Sequence, residues 1–228
     1  PYFVEYLFYI ENHGGVPRIV ETNDDFSLNF ENIDKAISPA TKGIILNSPN
    51  NPTGVMYSQD QVSRLGNLLR KKSEEIGRKI FLISDEPYRR IIFDNARYPH
   101  LYEHYEYTLV ATSHSKDLSI PGERIGYIAI NPRCPDAPSI SAGLIFCNRI
   151  LGFVNANALM QHVVKELQGV SVPAEIYQKK RDKLYGALTD MGYEVVKPSG
   201  AFYLFPRSPI EDDIKFVRTL QQKWYVLT

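Results

Sequence analysis

Lys42-Gly43-Ile44-Ile45-Leu46-Asn47 runs directly into Ser48-Pro49-Asn50-Asn51-Pro52-Thr53-Gly54, and the reading of this stretch decides the fold. A short, nearly continuous apolar run closed by a turn rich in proline, asparagine and glycine is what a strand covered on both faces of a sheet looks like. Just beyond it, Ser58 and Gln61 have the S-x-x-Q spacing of a capping box, and Val62, Leu65, Leu69 and Ile76 recur near helical spacing until Gly77 supplies a stop. Lys79-Ile80-Phe81-Leu82-Ile83-Ser84 then reads as a second strand. Strand, helix and strand form a β-α-β unit, so the two strands are expected to run parallel.

Working outward, Thr108 to Thr112 and Gly126 to Ile130 read as further short apolar strands. The fold class expected is therefore α/β: a mostly parallel sheet with helices on both faces. From Pro138 to about Gln168 the pattern is helical, with a break at Gly152, and a further amphipathic helix runs from Ala174 to Met191 and ends at Gly192. Tyr193 to Val196 and Ala201 to Phe205 read as strands on either side of Lys197-Pro198-Ser199-Gly200. The change of texture near Ser171-Val172-Pro173 divides the chain into a large domain with an interdomain helix, residues 1–172, and part of a smaller α+β domain, residues 173–228. The chain opens at Pro1 and closes at Tyr225-Val226-Leu227-Thr228, where a strand is expected to begin, so the sequence reads as a fragment.

With 26 basic and 26 acidic residues among 228, there is no net field to draw the chain to nucleic acid or an anionic membrane. No run approaches the roughly 20 apolar residues of a membrane span. The two cysteines, Cys134 and Cys147, have no CxxC spacing, which argues against a disulfide scaffold or structural zinc and fits the cytoplasm. His100 and His104 could share a helix face, but no carboxylate or cysteine pattern completes a metal site, so none is expected. The tyrosines at 98, 102, 105 and 107 lack the interleaved basic residues of a nucleic-acid platform, and packing or a subunit contact is the better reading.

Four polar segments carry the chemistry: Asn47 to Gly54, Ser84-Asp85-Glu86-Pro87-Tyr88, Ser113-His114-Ser115-Lys116 and Gly122-Glu123-Arg124-Ile125-Gly126. The first three follow expected strands, and in open α/β sheets ligands bind beyond the carboxyl ends of strands, so these loops can converge on one pocket. Each alone has an ordinary explanation as a turn, a solvated lysine or an acidic pair. Their joint order, and the eight-residue spacing from Lys116 to Arg124, resemble the class I/II aminotransferases, enzymes of fold type I that use pyridoxal 5′-phosphate (PLP).

That resemblance implies roles. Lys116 would form the Schiff base with PLP, and Asp85 would pair with the ring nitrogen so that the ring acts as an electron sink. Tyr88 and Asn51 would hydrogen-bond the ring hydroxyl oxygen, while Ser113, Ser115 and Arg124 would hold the phosphate, a guanidinium suiting phosphate oxygens well. Pro198-Ser199-Gly200-Ala201-Phe202-Tyr203 resembles the family's small-domain strand that lines the substrate pocket. The implied activity is ping-pong transfer of an amino group between an amino acid and a 2-oxo acid by a homodimer. The same constellation also serves carbon-sulfur lyases, aminocyclopropane-carboxylate synthases and the effector domains of some transcriptional regulators. The family's substrate-carboxylate arginine would follow Thr228, and its glycine-rich phosphate loop and ring-stacking aromatic would precede Pro1.

Overall fold

The computed structural model describes residues 1–228. In chain order, α1 (Glu5–Glu11) and α2 (Phe30–Ala36) precede β1 (Gly43–Asn47), α3 (Gln59–Ile76) and β2 (Phe81–Asp85). β3 (Thr108–Ser113) runs into the short α4 (His114–Asp117), β4 (Gly126–Ile130) follows, and α5 (Ala137–Ile150), α6 (Ala158–Glu166), α7 (Ala174–Asp190) and α8 (Asp213–Trp224) come last. The sheet has the order β1-β2-β3-β4. β1 to β3 are parallel and β4 is antiparallel to β3, which makes this a mixed, mostly parallel α/β sheet.

Local chemistry explains α3. Ser58 Oγ accepts from the Gln61 amide at 3.2 Å and Gln61 Oε1 accepts from the Ser58 amide at 2.9 Å, so two donors at the helix start are satisfied reciprocally. At the other end Gly77 takes φ +64°, a left-handed turn that costs glycine nothing. The apolar stripe between them buries Val62, Leu65 and Leu69 in one core with Leu46 and Leu82 of the sheet and Ile80 just before β2, and Leu28, Ile33, Leu101 and Tyr105 close it. Each fully buried leucine contributes roughly 1.5–3 kcal/mol.

The two sheet faces are unequal. Leu46, Leu82, Ser84, Thr108 and Val110 are buried on the α3 side, whereas Ile45, Ile83, Leu109 and Ala111 on the opposite side are half-buried, and Tyr127 and Ile128 of β4 are exposed. The apolar runs of the sequence are all present, but in this chain only the α3 side is closely packed.

Toward the carboxyl terminus the break at Gly152 is real, separating α5 from α6 with φ +88° at the glycine. The expected strands Tyr193–Val196 and Ala201–Phe205 reduce to one bridge, Val195 with Pro206. The reason lies in where the backbone bonds go: Ser199 and Gly200 amides donate to Gly54 O at 2.9 and 3.0 Å, and the Ala201 amide donates to Ile91 O at 2.9 Å. Tertiary contacts have taken the groups a hairpin would have used. Nor does a strand begin at Tyr225, which instead caps α8 at φ +57°. The tyrosines between 98 and 107 pack: Tyr105 lies in the core, and His100 sits between Tyr98 and Tyr102 at ring distances of 5.1 and 5.2 Å. His100 and His104 flank a single 3₁₀ turn rather than sharing a helix face.

Candidate active site

Parallel pairing brings the ends of β1 and β2 together, with Asn47 opposite Asp85 and Asp85 opposite Ala111 of β3. Strand alternation then sorts the acidic pair. Glu86 turns to the core side, fully buried, and accepts from Ser84 Oγ at 2.6 Å. Asp85 points the other way, where Tyr6 of α1 donates to Oδ2 and Asn47 Nδ2 donates to the same oxygen at 3.3 Å. Burial pushes the Asp85 carboxyl above its ordinary range, and the Tyr6 hydrogen bond pulls it back down. A half-buried carboxylate held by two neutral donors is a site that a cationic partner would relieve.

Asn47 also fixes the turn that follows it, since its Oδ1 accepts from the Asn51 amide at 2.7 Å. Asn51 is thereby held beside Asp85 through its backbone. Gly54, at φ +70°, lies against the Pro198–Tyr203 segment: a Cβ there would sit 2.6 Å from Pro198 Cβ and 2.8 Å from Tyr203 O. Only glycine allows that approach.

Tyr88 follows β2 on a turn and is buried. Its hydroxyl lies 2.6 Å from that of Tyr203, and its ring meets Phe202 and Tyr203 edge-on at 5.3 and 5.5 Å. Burial first, and the Tyr203 contact second, raise the Tyr88 phenol well above its usual range, so it remains a hydrogen-bond donor. Lys116 comes from α4, and its Nζ stands 5.8 Å from the Tyr88 ring centre and 5.4 Å from that of Phe202, within reach of the ring faces. Ser113 and Ser115 flank Lys116 on the same turn. The Ser113 side chain makes no cap bond to α4.

Arg124 is positioned by the antiparallel return of the chain. Ser113 pairs with Gly126, and the His114 amide donates to Ile125 O at 3.0 Å. Its backbone is left-handed (φ +50°, ψ +50°), and its exposed guanidinium donates to Pro121 O at 2.6 Å. The structure thus links Asp85 to Asn51 through Asn47 and Lys116 to Tyr88 across its ring, the two pairs meeting where β2 ends, while Ser113, Ser115 and Arg124 are adjacent by chain and register alone. A cavity of about 580 Å³ bounded by His114, Tyr127, Asn148, Gln161 and Lys165 lies on the β4 side and includes none of the seven. Tyr6 carries no role in the sequence reading, and Tyr203 enters it only as part of a pocket-lining segment, without a partner. Tyr6 reaches Asp85 across 79 positions and Tyr203 reaches Tyr88 across 115, and no local pattern signals such pairs.

A mostly parallel sheet that carries a carboxylate, a phenol and a lysine where its strands end defines an α/β protein with a candidate ligand site at that edge. Comparison with known proteins narrows that class: the family model described as aminotransferase class I and II matches residues 1–228, and the chain belongs to that family. It is 32% identical over 195 residues to a probable N-acetyl-LL-diaminopimelate aminotransferase of Bacillus subtilis, covering 85% of this chain and 47% of the relative. It is also 32% identical over 209 residues to a probable aspartate/prephenate aminotransferase of Thermus aquaticus, covering 90% of this chain and 52% of the relative. Among solved structures, an aminotransferase of Eubacterium rectale superposes with a TM-score of 0.94 at 39% identity, over 97% of this chain and 56% of that one. The chain therefore spans about half the length of the relatives it matches.

Proposed function

We propose that the protein to which these residues belong is a PLP-dependent aminotransferase that moves an amino group from an amino acid to a 2-oxo acid in two half-reactions, working as a homodimer in the cytoplasm. The observation that carries this reading is the convergence of Asp85, Tyr88 and Lys116 at the carboxyl ends of β2 and β3. The residues fit the cofactor by their own chemistry: a half-buried carboxylate held by neutral donors alone, a lysine held over ring faces instead of by a carboxylate, and a phenol that keeps its proton. Bound there, PLP would supply an electron sink for the carbanion formed at the amino acid's Cα.

Asp85 would hold the proton on the ring nitrogen. Asn51 and Tyr88 would bind the ring oxygen, and Ser113, Ser115 and Arg124 would grip the phosphate, which requires Arg124 to exchange its bond to Pro121 O for phosphate oxygens. Lys116 would anchor the cofactor and, once released by the incoming amino acid, act as the base that takes a proton from Cα. Residues 1–172 would form the cofactor-binding domain and residues 173–228 part of the smaller one. No helix is long and apolar enough to cross a membrane.

The test is the visible spectrum of the full-length protein loaded with PLP, with Lys116→Ala alongside. A visible band that requires Lys116, bleaches on adding an amino acid and returns on adding a 2-oxo acid is expected. Absence of any Lys116-dependent band would overturn the cofactor assignment. A band that persists while ammonia and a 2-oxo acid accumulate would replace transamination by a lyase reaction.

A further inference from the structure

Tyr203 lies 115 positions along the chain from Tyr88, yet the two hydroxyls are 2.6 Å apart. The placement is set by backbone rather than by chance packing of two rings. Ser199 and Gly200 amides are bonded to Gly54 O, Ser199 Oγ accepts from the Met56 amide at 2.7 Å, and Ser199 O accepts from the Phe93 amide at 3.0 Å. Gly200 bridges to Ile92, and a Cβ on it would lie 2.7 Å from Pro49 Cγ and 2.8 Å from Ile91 O. From the other side, the buried Arg181 of α7 donates to Pro198 O at 2.5 Å and to Asp94 Oδ1 at 2.8 Å. The Tyr203 hydroxyl is thus delivered to Tyr88 by a segment sewn to the turn that carries Asn51.

A phenol has one proton to donate. If Tyr88 spends its proton on a cofactor oxygen, the short contact with Tyr203 is satisfied only when Tyr203 is the donor. The three groups then form a chain in which each bond polarises the next. We infer that Tyr203 is a positioning residue for the cofactor: by donating to the Tyr88 oxygen it fixes the direction of the Tyr88 hydroxyl and strengthens it as a donor to the ring oxygen. This rests on the cofactor reading above and adds to it a residue from outside the four polar segments.

The experiment is a pH titration of the visible band of the full-length, PLP-loaded protein, comparing the parent with Tyr203→Phe, Tyr88→Phe and the double variant. Phenylalanine keeps the ring contacts and removes only the hydroxyl. A weaker donor leaves the ring oxygen's negative charge less stabilised, so a proton is kept more tightly on the adjacent Lys116 nitrogen and the midpoint rises. For Tyr203→Phe the expected rise is roughly 0.3–1 pH unit, what one neutral hydrogen bond supplies, with a larger rise for Tyr88→Phe. In the Tyr88→Phe background, Tyr203→Phe is expected to move nothing, because its effect runs through Tyr88. An unmoved midpoint in Tyr203→Phe, or an equal shift in both backgrounds, overturns the inference while leaving the cofactor in place. A parent without the band removes the cofactor reading and the inference together.

Discussion

The α3 side of the sheet and the carboxyl ends of its strands are built from the same three strands to opposite rules. Under α3, Leu65, Leu69, Ile80 and Leu82 are essentially inaccessible, and the helix ends are satisfied by their own neighbours. At the strand ends a carboxylate is held away from water at a cost, a lysine is left over aromatic faces, and an arginine spends its guanidinium on one exposed carbonyl. The first region satisfies its own polar groups and closes its apolar surface; the second leaves charged and polar side chains on ring faces, neutral donors and an exposed carbonyl. Stability and function have been separated by a single alternation of side-chain direction along β2, with Ser84 and Glu86 to one side and Asp85 to the other.

Substitutions can break that contrast, starting where the effect is largest. Leu69→Ala should lower unfolding free energy by about 2–5 kcal/mol through lost burial and a cavity, measured by urea titration, while the folded fraction keeps its cofactor spectrum. Loss of the spectrum without loss of stability would mean that the two regions are not separate. Gly54→Ala sits on the seam between them. Its added methyl has no room beside Pro198 Cβ and Tyr203 O, and its φ is +70°, so a cost of roughly 1–3 kcal/mol is expected together with weakened cofactor retention. Ser58→Ala removes one half of the capping box and should cost about 1 kcal/mol, with no change in the spectrum.

The smallest effect has the opposite sign. Asp85→Asn, in the cofactor-free protein, removes a carboxylate whose ionisation burial disfavours. Because the native state binds that proton more tightly than the unfolded chain does, the parent loses stability as pH rises from the ordinary aspartate range through the raised folded value. The variant should therefore be the more stable of the two at neutral pH, and the difference should vanish at low pH where both side chains are neutral. A thermal melt series across pH measures it, and a variant less stable at neutral pH would show that Asp85's bonds to Tyr6 and Asn47 outweigh its desolvation.

What was legible in the sequence follows the same division. The four strands and α3 could be read because their signals are local: apolar runs, a capping pair, a glycine stop. The loops that carry Asn51, Asp85, Tyr88 and Lys116 were legible because each is tethered to a strand end, and the sheet does the rest. The strands expected at 193–196 and 201–205 differ from the structure because their link, Ser199 and Gly200, is bonded to Gly54 and the Ala201 amide to Ile91, which leaves a single bridge at Val195. Tyr6, and the partner of Tyr203, are not legible because their meaning lies in a contact far along the chain, as does that of Arg181, whose buried guanidinium reaches Asp94 across 87 positions.

The antiparallel return of β4 has a bearing on the order in which this site can come together. The return from β3 to β4 takes twelve residues, His114–Ile125, against the 79 and 115 positions that separate Tyr6 from Asp85 and Tyr203 from Tyr88, and Lys116 and Arg124 both lie inside it. Closing a loop costs more entropy the longer it is. The lysine–arginine half can thus assemble as a local hairpin, with Tyr6 and Tyr203 arriving only when distant parts of the chain have condensed. On that sequence of events the turn that carries Lys116 and Arg124 is the first part of the candidate site to exist, and the tyrosine contacts are the last.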